Sequence, residues 1–276
     1  MKIDSYAAWK NSLKRKVAHM SKAMQRVLES FGNRLIRSDA ELVEAAFTRR
    51  GTRIQTVNLH HLALGRRSKE FASVLSTADR VTADGWPLVW ALEGLGVEVS
   101  RVTGSSFVNF ISTNDTHREV RLGLVGASVE AGDVWNEMLS GVGRSLSFRE
   151  HGDRSSWVAE DLARGAVESE VELLLVAVTP PYGDSIAEEI KRAGFHGVIL
   201  PVGGSIDMVT GLRQRAPAAI QRIGMEWAFR LILEPRRLVR RYVLECIPTM
   251  VLFLVPLVAG ERFRRRRSMN RWSMDG

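Results

Sequence analysis

Two rhythms of apolar and polar positions alternate along the chain. Short apolar, β-branched runs occur at "RIQTVNL" (53–59), "DRVTA" (79–83), "EVSRV" (98–102), "VRLGLVG" (120–126), "RSLSF" (144–148), "VELLLVAV" (171–178) and "GVILPVG" (197–203). Runs of this length, bounded by Gly, Asp and Pro, read as strands. Between them, "SVEAGDVWNEMLSGV", "SSWVAEDLARGAV" and "DSIAEEIKRAG" carry apolar residues at helical spacing. The alternation predicts an α/β fold, a mostly parallel sheet with helices on both faces. No repeat or low-complexity linker divides the body, so residues 35–234 are expected to form one α/β domain.

The two ends follow other patterns. Over residues 1–34, Tyr6, Trp9, Leu13, Val17, Met20, Met24, Val27 and Phe31 recur at helical spacing among Lys10, Lys14, Arg15, Lys16, Lys22 and Arg26, which predicts a basic amphipathic helix. Such a helix suits a membrane surface or packs its stripe on the domain behind it. Over residues 235–276, fifteen uncharged residues from Cys246 to Gly260 stand between arginine clusters. Spanning a bilayer takes about 20 apolar residues. This run is shorter, holds Pro248 and Pro256, and has arginines on both sides. It is therefore expected to lie in the headgroup region of a membrane, with a core element or an oligomer contact as the alternative. No secretory signal is expected at the N-terminus. The single cysteine, Cys246, excludes an internal disulfide.

Charge sharpens the contrast. The net charge of +8 is distributed as +9 over residues 213–276 and +5 over residues 1–30, leaving −6 for the middle. The basic ends have few interleaved aromatics and no recognition motif, so nucleic acid is not expected as a partner. An anionic membrane surface fits better, at about 1 kcal/mol for each nearby Lys or Arg.

In open α/β sheets, ligands bind beyond the carboxyl ends of the strands. Those positions hold Thr56 and Asn58, Asp84-Gly85, Arg101 to Gly104, Gly126 to Ser128, His151-Gly152, Thr179 to Pro181, and Gly203 to Asp207. Small, polar and glycine residues of this kind can cradle phosphate. The common nucleotide and zinc fingerprints are absent. By pattern alone, Asp84 reads as a turn or N-cap aspartate, Arg101 as a solvated strand-end charge and Asn58 as a turn former.

Two longer blocks change those readings. "TADGWPLVWALEGLGVEVSRVTGSSFV" (82–108) and "VILPVGGSIDMVTGLRQRAPAAIQRIGMEWAFRLILEPRRLVRR" (198–241) resemble the diagnostic blocks of the WecG/TagA/CpsF glycosyltransferase family. "TVNLHHL" and the His151-Gly152 pair resemble two shorter ones. The resemblance implies a Rossmann-like α/β fold of GT-E type with a basic, membrane-associating C-terminal appendage. It also implies an inverting, metal-independent transfer, with no cofactor, from a UDP-sugar to a polyprenyl-diphosphate-linked acceptor. Such transfers occur at the cytoplasmic face of the cell membrane and build exopolysaccharide, capsule or cell-surface polymer. On this resemblance Asp84 is the catalytic base, Thr56, Asn58, Gly203, Gly204 and Tyr182 face the donor, and Asp207 either contacts the donor or braces its loop. Arg101, Arg236, Arg237 and Arg240 are implied to hold the diphosphates; Arg241 is grouped with the last three, and the alternative for at least two of this group is plain membrane-surface charge. Glu226 and Trp227 read as architectural, and Arg215 as a helix-start residue. Oligomeric state is open, since an apolar tail can find a second copy as readily as lipid.

One stretch departs from the family pattern. Where it carries Pro-Lys/Arg-Gln-Glu after a central strand, this chain has "VTPPYGD" (178–184), with Tyr182, Gly183 and Asp184 in place of the basic residue, Gln and Glu. Glycine cannot supply the contacts of a Gln amide. The departure implies an altered donor preference, or a catalytically altered relative acting as a membrane-bound partner of another polysaccharide enzyme.

Overall fold

The computed structural model describes residues 31–252, apart from 95–96, 118, 215, 218–219 and 221–225. The amphipathic segment expected over 1–34 therefore lies almost wholly outside the described residues, as do Arg215 and everything beyond residue 252.

The most apolar run shows how the body is layered. Strand β6 (Leu173–Ala177) sends Leu173, Leu175 and Ala177 into one core and Leu174 and Val176 into another. A strand buried on both faces reads as a continuous apolar run rather than an alternating one. The first core is completed by α1 (Asp39–Thr48), α5 (Gly104–Thr113) and α6 (Val129–Ser140), through Leu42, Phe107, Ile111, Trp135 and Leu139. The second is completed by α7 (Ala159–Glu168) and α8 (Tyr182–Arg192), through Leu162, Ala166, Ile186 and Ile190. Helices thus cover both faces, as the alternation predicts.

Strands β4 (Leu122–Gly126), β5 (Leu146–Glu150), β6 and β7 (Val198–Pro201) form a parallel sheet in the order β5-β4-β6-β7. Strands β1 (Leu35–Ile36), β2 (Ile54–Val57) and β3 (Arg80–Ala83) form a second, also parallel, in the order β1-β3-β2. Helices α2 (Leu59–Arg67) and α3 (Lys69–Thr77) link β2 to β3, and α4 (Trp86–Gly94) follows β3. A parallel bridge between Arg53 and Ile199 sets edge strand β2 against edge strand β7. The Thr56 hydroxyl fastens the same seam, donating to the Pro201 carbonyl at 3.1 Å.

Two local expectations fail for physical reasons, and one strand was not expected. "EVSRV" joins no ladder: Ser100 donates its amide to Arg37 O and Val102 donates its amide to Ala83 O. β5 begins at Leu146, two residues later than expected, because the Arg144 amide still closes the turn after α6, donating to Leu139 O at 2.9 Å, while its buried guanidinium donates to the carbonyls of Asn114, Thr116 and His117. β1 is too short for its alternation to be visible.

After β7 come α9 (Ser205–Val209), α10 (Glu226–Leu233), α11 (Pro235–Val239) and a π-helical stretch, Arg240–Cys246, that continues as α-helix to residue 252. No helix among the described residues is long and apolar enough to cross a membrane. The C-terminal stretch folds back against α2.

Candidate active site

A cavity of about 270 Å³ lies beyond the carboxyl ends of β2, β3, β6 and β7, across the seam between the two sheets. Strand order dictates this location, because loops leaving neighbouring parallel strands in different directions leave a crevice above them. Its walls bring together Thr56 and Asn58 after β2, Asp84 after β3, Arg101, and Gly203 and Gly204 after β7.

Asp84 is placed by the strand end itself. Its amide donates to Val57 O at 2.7 Å, and Gly85 follows at φ +122°, a backbone only glycine adopts readily. The chain then turns directly into α4, leaving the half-buried carboxylate at the cavity wall. Trp86 lines the same wall, with the Arg101 guanidinium 5.9 Å from its ring centroid. That spacing is within cation–π range. A carboxylate, a guanidinium and glycine-rich strand ends around one cavity make a site for an anionic ligand beside a proton acceptor.

Beneath them lies a buried polar network that pattern reading did not reveal. The Asn58 side chain caps α2, accepting from the amides of His60 and His61 at 3.0 and 3.4 Å. His61 returns the contact, its Nδ1 accepting from the Asn58 amide at 3.2 Å, so the pair forms a reciprocal cap. The other ring nitrogen of His61 faces Asp184 Oδ2 at 3.4 Å, and Gln55 Nε2 donates to Asp184 Oδ1 at 2.6 Å. Behind Gln55, fully buried Arg53 pairs with Glu188 at 2.8 Å. Burial pulls the Arg53 guanidinium below its usual value, opposed by the negative charge of Glu188 and Asp184.

This network explains the departing stretch. Asp184 is 2% exposed and lies at the cavity floor, held by Gln55 and His61. At Gly183 an added Cβ would stand 2.1 Å from Val178 O. The backbone here has no room for any side chain, a glutamine included. Tyr182 is turned outward: its hydroxyl donates to Arg154 O at 2.6 Å and its ring packs on Trp157.

The C-terminal stretch supplies the remaining wall through Arg241, Tyr242, Cys246, Ile247 and Met250. It is tied to α2. His60 Nε2 lies 3.0 Å from Glu245 Oε2, Arg67 Nη1 donates to Glu245 Oε1 at 2.9 Å, and Arg67 Nη2 donates to Leu244 O at 2.8 Å. Burial first, then the charge of Arg241, the neighbouring His61 and the charge of Arg67, pushes the His60 imidazole down to about 3. At neutral pH His60 is therefore uncharged, and its contact with Glu245 is an N–H donated to a carboxylate rather than an ion pair. Burial also raises the Cys246 thiol to about 11, with Arg241 pulling in the opposite direction.

Of the residues singled out from sequence, Thr56, Asn58, Asp84, Arg101, Gly203 and Gly204 share the cavity. Tyr182, Asp207, Arg236 and Arg240 do not line it. Asp207 faces Arg213 at 4.0 Å, and Arg213 in turn reaches Glu234 at 3.4 Å, so this carboxylate braces the loop after β7. Arg236 and Arg240 point to solvent. The side chains of Arg237, Glu226 and Trp227 lie outside the described residues. Sequence reasoning missed His60, His61, Gln55, Trp86 and Glu245. The "NLHH" cap was legible as a possibility, Asn before a helix with a polar residue at its third position, whereas Glu245 carried no signal. Arg241 was grouped with its neighbours, and only the rotation of the helix separates it from them.

The family model for glycosyl transferases of the WecG/TagA/CpsF family matches residues 35–267. The match begins at β1 and runs through both walls of the cavity.

Proposed function

Because the chain belongs to the WecG/TagA/CpsF family of glycosyl transferases of cell-surface polymer synthesis, we propose that it transfers a sugar, with inversion, from a UDP-sugar to a polyprenyl-diphosphate-linked acceptor. Asp84 takes the proton of the acceptor hydroxyl. The freed oxygen forms a bond to the anomeric carbon as the bond from that carbon to the diphosphate breaks, and the nucleoside diphosphate departs with the electron pair. A diphosphate leaves well once its charge is met, so cationic side chains serve better here than a strong acid. Arg101 and Arg241, on two walls of one cavity, are the residues suited to that task.

The observation that carries this reading is the convergence of Asp84, Arg101, Thr56, Asn58, Gly203 and Gly204 on one strand-end cavity. The acceptor's lipid keeps the reaction at the cytoplasmic face of the membrane, where the basic C-terminal region rests on anionic headgroups. The buried Asp184 and the glycine at 183 support a donor site unlike that of relatives carrying Gln and Glu there, and hence a different donor sugar.

The test is calorimetry with a panel of UDP-sugars, followed by transfer assays on polyprenyl-diphosphate acceptors. Binding and turnover with one donor are expected. Heat from none would sink the transferase reading and favour a binding partner of another polysaccharide enzyme.

A further inference from the structure

The C-terminal stretch reaches the cavity by a route that α2 dictates. Three polar contacts to α2 hold it there: His60 and Arg67 to the Glu245 carboxylate, and Arg67 to the Leu244 carbonyl. Glu245 receives two of them, and its side chain is 17% exposed. Apolar packing contributes less: among the described residues of this stretch Leu238 and Cys246 are the buried apolar ones, while Val239, Val243, Leu244, Val251 and Leu252 face outward. A segment held mainly by one carboxylate has an orientation that depends on that carboxylate. Arg241, four residues before Glu245, lies one helical turn away and lines the cavity wall.

We infer that Glu245 is a positioning residue: through His60 and Arg67 of α2 it holds the C-terminal helix in the rotation that turns Arg241 into the cavity. Without it, the outward apolar face and the inward arginine lose their fixed relation to the strand ends. The Glu245 side chain sits between the His60 donor and the Arg67 fork, with Arg241 and Cys246 lining the cavity from the same stretch. A carboxylate with this donor set is well satisfied, and its removal leaves Arg67 and His60 without their shared acceptor. The claim about placement stands on geometry alone. Only its consequence for turnover rests on the transferase reading.

Cys246 reports on the placement independently of activity. It is the only cysteine in the chain, it is 7% exposed, and burial holds its thiol near 11. Release of the helix returns the thiol to water and toward an ordinary value, which raises the reactive thiolate fraction. We expect Glu245→Ala to react with a maleimide at pH 7.5 at least tenfold faster than the wild-type full-length chain, at an unchanged melting temperature. Arg67→Ala should do the same and Arg67→Lys should fall between, because Lys replaces one arm of a two-armed contact. Arg67 is half-exposed, so its variants keep the test readable if Glu245→Ala lowers global stability. In the transfer assay Glu245→Ala should lower kcat tenfold or more while the donor Kd stays within threefold, since the strand-end donor residues are untouched. Labelling within twofold of wild type in both Glu245→Ala and Arg67→Ala would overturn the placement. Faster labelling with unchanged kcat would overturn the role in turnover while leaving the transferase reading intact. Absence of donor binding in the wild type would count against that reading alone.

Discussion

Helix α7 and the C-terminal helix solve opposite problems. α7 turns Leu162, Ala163 and Ala166 into the core and Glu160, Asp161, Arg164 and Glu168 to solvent. The C-terminal stretch does the reverse. Val239, Val243 and Val251, at spacings of four and eight, are each about half exposed, with Leu244 and Leu252 beside them, while Glu245 and Arg241 face the body. Spacing of four lines up side chains on one helical face. A contiguous apolar face left outward marks an interaction surface rather than a core. The body is thus finished by burial of apolar surface, whereas the C-terminal stretch is attached by polar contacts and keeps its apolar side for something else. Mutations should separate the two regions sharply.

The largest expected effect falls on the strand-end rim. Asp84→Asn keeps the shape and removes the proton acceptor, so turnover should drop by about two to four orders of magnitude, the usual contribution of a general base. Donor binding by calorimetry should survive. Retained turnover would remove Asp84 from the mechanism.

Next comes the core. Trp135 is fully buried, and its indole N–H donates to Ser112 Oγ at 2.8 Å. Trp135→Ala should cost about 3–5 kcal/mol in denaturant unfolding, because the lost volume cannot be refilled. An equally drastic truncation on the outward C-terminal face should cost almost nothing in the same measurement.

Acid should loosen the polar attachment before it unfolds the body. The folded-state value of His60 is depressed from the ordinary 6.5 to about 3. The released or unfolded form therefore binds the extra proton, and stability is lost as pH falls from 6.5 toward 3. At pH 5 the loss is about 2 kcal/mol for this one group. Hydrogen exchange over residues 240–252, corrected for intrinsic rates, should accelerate between pH 7 and 5 more than exchange in β6. His60→Asn keeps a donor toward Glu245 without the titration, and should flatten that difference.

The two regions also differ in how well the sequence reveals them. The body's layers follow from β-branched runs and 3.6-residue periods, and six residues expected after strands, singled out among other such positions by the family resemblance, share one cavity. Long-range polar pairing leaves no periodic trace. Gln55 reaches Asp184 across 129 positions, and Glu245 reaches His60 across 185. Nothing local distinguishes Glu245 from a solvated glutamate. Nor could spacing separate Arg241 from Arg240, because the choice between cavity and solvent goes with a π-helical turn over residues 240–246 that packs on α2, and no local pattern announces it.

The smallest effect is the most diagnostic of the outward face. Fully burying a valine contributes about 1.5–3 kcal/mol, and a helix lying in a headgroup layer buries its apolar side only in part. Val243→Ser or Val251→Ser should therefore weaken sedimentation with anionic vesicles by about 1 kcal/mol each, roughly fivefold. Their unfolding free energies should stay within about 0.5 kcal/mol of wild type, as at other exposed positions. Arg236→Ala, on the exposed basic side, should match them in size at low salt, at about 1 kcal/mol per charge. Raising the salt to 1 M shortens the screening length to about 3 Å and should abolish the arginine effect while sparing the valine effect. Equal salt sensitivity in both variants would mean that the outward valines do not enter an apolar layer, and the contrast between the two helices would reduce to one of charge.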